Sequence, residues 1–277
     1  MSNGSLAFRR YRSVFLSDIH LGYKDCKANQ LLQFLNTCRC DTLYLLGDIV
    51  DLWSIQRRHF WPKEHHQVIA RILQLAEQGT KVIYIPGNHD AAVRSLLPLV
   101  INQIECCDES VHHGVDGTRY LLIHGDLFDG LVACPRLLAW IGDKLYDALL
   151  FLNRWYNRIR AIFGKPYWSL TKFIKSRVGG AQAYISRYQS AALEYANKRG
   201  FSGIFCGHIH QPALLEEPTG CYFNCGDWIE NCSYICEDFH GKFSLQYWPA
   251  ADKETLTSLD SESALDTSSK QSDQKAA

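Results

Sequence analysis

Five short apolar runs, each followed at once by a polar motif, constrain the fold of this chain more than any other feature. The runs are continuous and rich in β-branched or aromatic residues, which is typical of strands buried on both faces. They are Ser13–Ser17, Thr42–Leu46, Val82–Ile85, Tyr120–Ile123 and Gly203–Cys206. The motifs after them are rich in Gly, Asp and Asn, residues at which strands commonly end. The sequence therefore predicts five buried strands whose carboxyl ends carry polar side chains.

The polar motifs supply carboxylate, imidazole and amide oxygen groups, and no thiol. They are Asp18-Ile19-His20, Gly47-Asp48-Ile49-Val50-Asp51, Gly87-Asn88-His89-Asp90, His124-Gly125-Asp126 and Gly207-His208-Ile209-His210. Open sheets with helices on their faces place their sites at the carboxyl ends of the strands. This donor set suits two adjacent divalent metal ions of the Mn, Fe or Zn kind.

The segments between the motifs predict helices and hairpins. Apolar spacing predicts helices over about Lys27–Thr37 and Lys63–Gln78, and a third, short helix after Asp90. Turn residues predict hairpins at Val115–Thr118 and Pro218–Gly220. Parallel units followed by antiparallel ones indicate two packed sheets with helices outside.

The order and spacing of the motifs resemble the calcineurin-like metallophosphoesterase superfamily from about Val14 to Gln211. Within it the chain most resembles the UDP-2,3-diacylglucosamine pyrophosphohydrolases of lipid A biosynthesis. Three features carry this closer resemblance: Leu46–Trp53, a long helical insert before Gly207, and Tyr222–Trp228. The resemblance implies an α/β fold, a four-layer αββα sandwich with a helical cap insertion. It also implies hydrolysis of a nucleotide-linked acylated sugar, at its diphosphate bond, to UMP and 2,3-diacylglucosamine 1-phosphate.

The matched motifs also imply roles for individual residues. Two divalent ions, with Mn²⁺ expected, would share Asp48 as a bridging ligand. The other ligands would be Asp18, His20 and His210 for the first ion, and Asn88, His124 and His208 for the second. Asn88 and His208 would also contact substrate, and His89 and Asp90 are candidate catalytic residues. Asp51, Asp90 and Asp126 are expected to orient ligand side chains.

The segment Gly130–Gly200 separates two of these ligands and is strongly basic. It holds twelve Lys or Arg against three acids, in a chain whose net charge is zero. Apolar residues recur every three or four positions from Leu138 to Ile162, which predicts an amphipathic helix. Further helical stretches are expected over Trp168–Arg177 and after Gly179-Gly180.

Three interpretations of this insert remain open. It could be a helical pair that packs on the core and keeps its cations in water. It could be a cap that holds acyl chains and places cations on phosphates of substrate or anionic lipid, with Lys175 and Arg177 as candidate substrate-binding residues. The same basic and aromatic mixture could also hold single-stranded nucleic acid.

His89 departs from the lipid pyrophosphohydrolase group, whose well-known members carry Arg at this place. A His here could protonate a poor leaving group such as an alkoxide. This leaves a second hypothesis, a phosphomonoesterase or phosphodiesterase acting on another substrate, including nucleotides or nucleic acid. A third hypothesis is a non-catalytic scaffold, against which the complete ligand set argues. Tyr44, Trp53 and Tyr84 are interpreted as core residues.

Composition indicates which partners and which cellular compartment to expect. Zero net charge gives no general reason to expect nucleic acid as a partner, and Met1–Arg12 has no apolar core of a signal peptide. The eleven cysteines are interpreted as reduced thiols of a cytoplasmic protein. The insert suggests peripheral contact with the cytoplasmic face of the inner membrane. A structural zinc site is a less favoured alternative for four cysteines, Cys221, Cys225, Cys232 and Cys236.

Two regions are expected along the chain. Residues 1–249 form the metallophosphoesterase domain, which contains the cap insert at about 130–200. Residues 250–277 turn to Ser, Asp, Lys, Thr and Ala, a composition that predicts a disordered tail. The sequence does not specify an oligomeric state.

Overall fold

The computed structural model describes residues 9–101, 103–130, 152–153, 155–160, 162–164 and 179–249. Strands and helices alternate along the first half, and strands dominate the end. The strands are β1 (Arg9–Leu16), β2 (Cys38–Leu46), β3 (Lys81–Ile85), β4 (Leu99–Ile101), β5 (Ile104–Cys106), β6 (Ser110–His113), β7 (Arg119–Leu122), β8 (Gly203–Cys206), β9 (Ala213–Glu217), β10 (Gly220–Asn224), β11 (Ser233–Glu237) and β12 (Phe243–Tyr247). The helices are α1 (Ala28–Thr37), α2 (Leu52–Arg58), α3 (Lys63–Glu77) and α4 (Gly179–Lys198), with 3₁₀ turns at Ala91–Leu96 and Asp126–Gly130.

The larger sheet has seven strands in the order β12-β11-β1-β2-β3-β5-β4. Its centre is parallel, because β1, β2, β3 and β5 run in the same direction. The last four residues of β1 and of β2 are all buried. Three of the predicted runs therefore form neighbouring strands, and the motifs after them emerge at one edge of this sheet.

The smaller sheet has five strands in the order β6-β7-β8-β10-β9. The two predicted hairpins are confirmed, since β6 pairs antiparallel with β7 and β9 pairs antiparallel with β10. Between them, β7 and β8 are parallel neighbours. The other two predicted runs therefore end side by side at the same edge of the smaller sheet.

Aromatic side chains join the two sheets face to face. Phe15 of the larger sheet stacks on Phe205 of the smaller one, with ring centroids 4.1 Å apart, and Phe205 stacks in turn on Phe223. On the outer faces, α1 and α3 cover the larger sheet and α4 covers the smaller one. The α/β sandwich of two sheets between helical layers is therefore confirmed.

The predicted helices agree with α1 and α3, and the helix after Asp90 is a 3₁₀ turn. The helix expected after Gly179-Gly180 is α4, which presents Tyr188, Ala192 and Ala196 to the smaller sheet at intervals of four residues. One helix, α2, was not predicted. Asp51 caps it by accepting a hydrogen bond from the Ser54 amide over 2.7 Å.

Much of the insert lies outside the described residues, including the stretch Trp168–Arg177. Residues 152–153, 155–160 and 162 are helical, within the range predicted as an amphipathic helix. The expected tail at 250–277 also lies outside the described residues, and the division at residue 249 stays a prediction. In the part of the chain that the structure describes, no helix is long and apolar enough to cross a membrane.

The four cysteines considered for zinc are divided between two hydrophobic clusters. Cys221 and Cys225 belong to the core between the sheets, whereas Cys232 and Cys236 belong to the core under α1 and α3. Among the described residues, none of the groups with metal-binding geometry contains a cysteine. The structure therefore gives the zinc alternative no support.

A buried polar network also crosses between the sheets. Glu237 of β11 lies 3.0 Å from Nε2 of His112 in β6, and Nδ1 of that ring lies 3.1 Å from the Tyr44 hydroxyl. Arg12 of β1 donates to the same carboxylate. Because Glu237 and His112 are almost fully buried, this network fixes the two sheets relative to each other through charge as well as packing.

Candidate metal centre

Three side chains from two sheets meet at the end of β1. One ligand-type atom of each of Asp18, His20 and His210 lies within 4.8 Å of the others. Oδ1 of Asp18 lies 3.2 Å from Nε2 of His210 and 3.8 Å from Nε2 of His20. The other carboxylate oxygen of Asp18 accepts hydrogen bonds from the Ser17 hydroxyl and the His208 amide. The geometry leaves Oδ1 facing the two imidazoles.

A second group of donors lies beside the first. Oδ1 of Asn88 lies 3.1 Å from both Nε2 of His124 and Nδ1 of His208. Asp48 lies between the two groups, since its Oδ2 is 3.4 Å from Nε2 of His124 and 3.7 Å from Nε2 of His20. The structure therefore brings all seven sequence-predicted ligand residues together, with Asp48 between the two groups.

The donor set fits divalent metal ions. Within the described residues, neither Oδ1 of Asp18 nor Nε2 of His20 has a hydrogen-bond partner, although both atoms are buried. Buried polar atoms without partners are costly, and a cation between them would satisfy both. Carboxylate, imidazole and amide oxygen together are ligands for Mn²⁺, Fe²⁺ or Zn²⁺.

The electrostatics of the centre favour bound cations. Burial alone would raise the pKa of Asp18, but the charge of His210 and the imidazoles of His20 and His210 beside the carboxylate hold that pKa well below its usual range. Burial would lower the pKa of His124, yet the Asp48 carboxylate raises it to about 10. The carboxylates thus remain ionised and attract positive charge, whether from protons on the imidazoles or from a metal.

The backbone around the centre is unusual. Five of the seven residues have positive φ: Asp18 (51°), His20 (54°), Asp48 (53°), His208 (69°) and His210 (52°). Left-handed backbone costs a residue with a side chain about 1–2 kcal/mol. Strain of this kind collects at functional sites, where the surrounding structure maintains it.

The three acids expected to orient ligands have different partners. Asp51 lies 3.3 Å from Nδ1 of His20 and 3.1 Å from Nδ1 of His89. Asp90 accepts hydrogen bonds from backbone amides, including that of Ile49, and from the Tyr84 hydroxyl. Asp90 therefore holds the backbone of the loops that carry the ligands. None of these hydrogen bonds joins it to a ligand side chain.

Asp126 does not take the expected role. Both of its carboxylate oxygens accept hydrogen bonds from Arg94, over 2.8 and 2.9 Å. A guanidinium forms such paired bonds readily because its geometry matches a carboxylate. The carboxylate that contacts a ligand imidazole here is Asp129, three residues later, which lies 2.9 Å from Nε2 of His208.

His89 lies at the rim of the centre, with 26% of its side chain exposed. Its backbone amide donates to Asp48 over 2.8 Å, and its ring packs on Trp53 with centroids 4.2 Å apart. Trp53 was expected in the core, but 46% of its surface is exposed. The interpretation of Trp53 as a core residue is therefore wrong, whereas Tyr44 is buried as expected.

A model of the calcineurin-like phosphoesterase family matches residues 11–212. The chain belongs to this family. The match includes every motif that carries a predicted ligand. As a calcineurin-like phosphoesterase, the protein is a metal-dependent hydrolase. Family membership implies divalent metal ions, and the donor groups described above are those that could hold them.

Curated relatives within the family share low identity over most of the chain. A protein of Ralstonia nicotianae named UDP-2,3-diacylglucosamine hydrolase is 27% identical over 224 residues, which cover 77% of this chain and 82% of the relative. A protein of Aeromonas salmonicida with the same name is 27% identical over 237 residues, 80% of this chain and 88% of the relative. A solved structure of an archaeal phosphodiesterase is 13% identical with a TM-score of 0.42, covering 85% of this chain and 98% of that chain.

The candidate substrate-binding cations Lys175 and Arg177 lie outside the described residues. Two residues that contact predicted site residues were not predicted from the sequence to do so. They are Asp129, beside His208, and Trp53, beside His89. For Asp129 the available signal was a second acid one turn after Asp126, because residues three apart in a 3₁₀ turn share a face.

Proposed function

We propose that this phosphoesterase hydrolyses the diphosphate bond of UDP-2,3-diacylglucosamine, releasing UMP and 2,3-diacylglucosamine 1-phosphate. The observation that carries the proposal is the two-part donor centre bridged by Asp48, in a chain whose curated relatives bear the name of that activity. A centre of this type cleaves phosphorus–oxygen bonds, and the relatives supply the substrate class.

The residues divide the work of the reaction. Asp18, His20 and His210 would hold one ion, Asn88, His124 and His208 the other, and Asp48 both. Two divalent ions, for which we propose Mn²⁺, supply an activated water and neutralise charge on the phosphoryl oxygens when bound. Asn88 and His208 would also contact the substrate phosphate, with Lys175 and Arg177 proposed as further cations.

His89 would donate a proton to the leaving group. Its Nδ1 lies 3.1 Å from the Asp51 carboxylate, an arrangement that keeps the imidazole oriented. A protonated imidazole at the rim of the centre can donate to a departing oxygen. Asp90, proposed from the sequence as catalytic, would act by holding the backbone of the Asp48 loop.

The described part of the insert supports an amphiphilic substrate. Leu152, Trp155, Ile159 and Ile162 are 51–81% exposed and follow one another at helical spacing. No acidic residue occurs between Leu152 and Gly164. An exposed stripe of this kind, beside cations such as Arg158, fits acyl chains and the headgroups of an anionic bilayer. We therefore propose peripheral contact with the cytoplasmic face of the inner membrane.

The test compares two substrates with the same Mn²⁺-loaded protein. UMP release from UDP-2,3-diacylglucosamine dispersed in detergent should be fast, and cleavage of a bis-aryl phosphodiester should be slow. A deacylated UDP-sugar serves as the matched control, because it keeps the diphosphate and removes the acyl chains. Equal turnover of the acylated and deacylated substrates would contradict the lipid assignment.

A second candidate function is favoured by His89 itself. A proton donor matters most when the leaving oxygen is a poor one, such as the alkoxide of a phosphomonoester or phosphodiester, whereas a departing phosphate needs little help. Good cleavage of the bis-aryl diester without UMP release would support this alternative. If the substrate is nucleic acid, turnover should fall steeply with added salt.

A further inference from the structure

Asp129 connects a predicted metal ligand to the helix that ends the insert. One of its oxygens, Oδ2, lies 2.9 Å from Nε2 of His208. The other, Oδ1, accepts a hydrogen bond of 2.8 Å from the hydroxyl of Tyr184, which is in α4. Asp129 itself belongs to the 3₁₀ turn that follows the ligand His124. One carboxylate therefore contacts both a predicted metal ligand and α4.

The contact determines which nitrogen of His208 can face a metal. A neutral imidazole carries one N–H and one free electron pair, and a carboxylate can only accept a hydrogen bond. Hence Asp129 holds the proton on Nε2 and leaves the electron pair on Nδ1. That second nitrogen lies 3.1 Å from Oδ1 of Asn88, on the side where the second group of donors converges.

Two other ligand imidazoles, those of His124 and His20, are held in a similar way, with the roles of the two nitrogens exchanged. Nδ1 of His124 donates to the carbonyl oxygen of Leu46 over 2.9 Å, which leaves Nε2 toward Asp48. Nδ1 of His20 faces Asp51, which leaves Nε2 toward Asp18 and Asp48. Asp129 gives His208 the partner that a metal-binding imidazole normally has.

Neighbouring residues support this assignment. The other acid of the same 3₁₀ turn, Asp126, is paired with Arg94 through both carboxylate oxygens. The ring of Tyr188, which is buried in α4, lies nearly parallel to that of His208, with centroids 6.2 Å apart. Since 52% of the Asp129 side chain is exposed, its pair with His208 would contribute little to stability as a surface contact. Its position is better explained by orientation of the imidazole.

We propose that Asp129 is a positioning residue for the second metal ion, and that Tyr184 couples α4 to the metal centre through it. Asp129 directly precedes the insert, and Tyr184 lies in α4, the helix that ends it. The two residues thus join the ends of the insert next to a metal ligand. This inference rests on the metal centre and does not depend on the lipid substrate.

Metal titration of the full-length, metal-free protein tests the proposal. Binding of Mn²⁺ would be followed by calorimetry, and of Co²⁺ by its visible absorption. Asp129→Ala should weaken one of the two binding events by about 10- to 100-fold, the range typical for removal of such partners, and leave the other unchanged. Tyr184→Phe should weaken the same event by about threefold, since it removes one neutral hydrogen bond.

The matched control is Tyr195→Phe. It makes the same substitution in the same helix, where the hydroxyl contacts Arg199 instead of Asp129, and metal binding should be unchanged. Unaltered affinity for both ions in Asp129→Ala would overturn the proposal. So would an equal loss of both ions together with a lower melting temperature of the metal-free protein, because that result identifies a structural role. None of these readouts uses the lipid substrate.

Discussion

Gly47 lies where the backbone comes closest to a predicted metal ligand. A Cβ atom at this position would overlap the imidazole of His124. We expect Gly47→Ala to displace that ring and to abolish binding of one metal ion. Calorimetric titration with Mn²⁺ measures the loss.

Gly79 provides the matched control for this substitution. Its φ of 98° is close to the 83° of Gly47, but among the described residues nothing lies within 4 Å of an added Cβ. Both alanine variants should lose about 1–2 kcal/mol of unfolding free energy from left-handed backbone. Only Gly47→Ala should lose metal binding. Equal metal binding in the two variants would show that the His124 ring tolerates the shift.

His89 permits a test that separates proton donation from metal binding. We expect His89→Asn to slow hydrolysis of a substrate with a poor alkoxide leaving group by about 10²- to 10⁴-fold. An activated aryl ester should be affected much less, because its leaving group needs no proton. The measurement is the dependence of rate on leaving-group pKa, which should steepen in the variant. A uniform loss across all leaving groups would assign His89 to substrate binding.

Among individual residues, the sequence predicted those that belong to recognisable motifs. The seven donors converge because their motifs follow strands that lie side by side. Trp53 was missed because an aromatic residue after an apolar run is usually buried, and only the tertiary structure shows that it packs on His89. Asp126 and Asp129 could not be distinguished, because the position of Arg94 decides which acid remains for His208.

Among the elements, α4 offers the clearest test of packing. Leu193 is 3% exposed and belongs to the cluster between α4 and the smaller sheet, whereas its neighbour Glu194 is exposed and pairs with Lys198. Leu193→Ala should lower the unfolding free energy by about 2–5 kcal/mol. Glu194→Ala should change it little, because the pair with Lys198 is exposed to solvent. Urea denaturation of the two variants measures both values, and similar losses would mean that α4 is not packed as described.

The helices differ in how well the sequence predicts them, for a physical reason. A helix that buries one face must carry apolar residues at helical spacing, as α1 and α3 do. In α2 no residue is fully buried, so its sequence carries no such spacing. The cap at Asp51 marks where α2 begins, and Trp53 of this helix packs on His89.

For the molecule as a whole, the network around Glu237 predicts an effect of pH. Burial would raise the pKa of Glu237, but hydrogen bonds from His112 and Arg12 lower it below its ordinary value. A carboxyl group whose pKa is lower in the folded state contributes stability above its unfolded pKa. That contribution is lost as the pH falls below about 4.5 and through the folded pKa.

Glu237→Gln tests this contribution. At pH 7 it should lower the unfolding free energy by about 3 kcal/mol, because it leaves buried and charged partners without their carboxylate. The difference from the natural protein should shrink as the pH falls below about 4.5. The control, Glu216→Gln, changes an exposed acid of β9 and should have little effect. A difference that stays constant with pH would show that the charge of Glu237 is not involved.

The architecture was predictable only in part. Continuous apolar runs predicted the buried parallel strands, and turn residues predicted both hairpins. The order of strands was not predictable, because β1 pairs with β11 and β7 with β8 across long stretches of chain. Such pairings depend on which faces fit together, as Phe15 and Phe205 do, and not on any local pattern.

The left-handed backbone at five of the donor residues has a consequence for engineering of the scaffold. Glycine adopts such backbone without the cost that a side chain brings. A glycine at Asp18, His20, Asp48, His208 or His210 would relieve local strain and remove a donor at the same time. Stability of the scaffold and occupancy of the metal centre therefore place opposite demands on the same five residues.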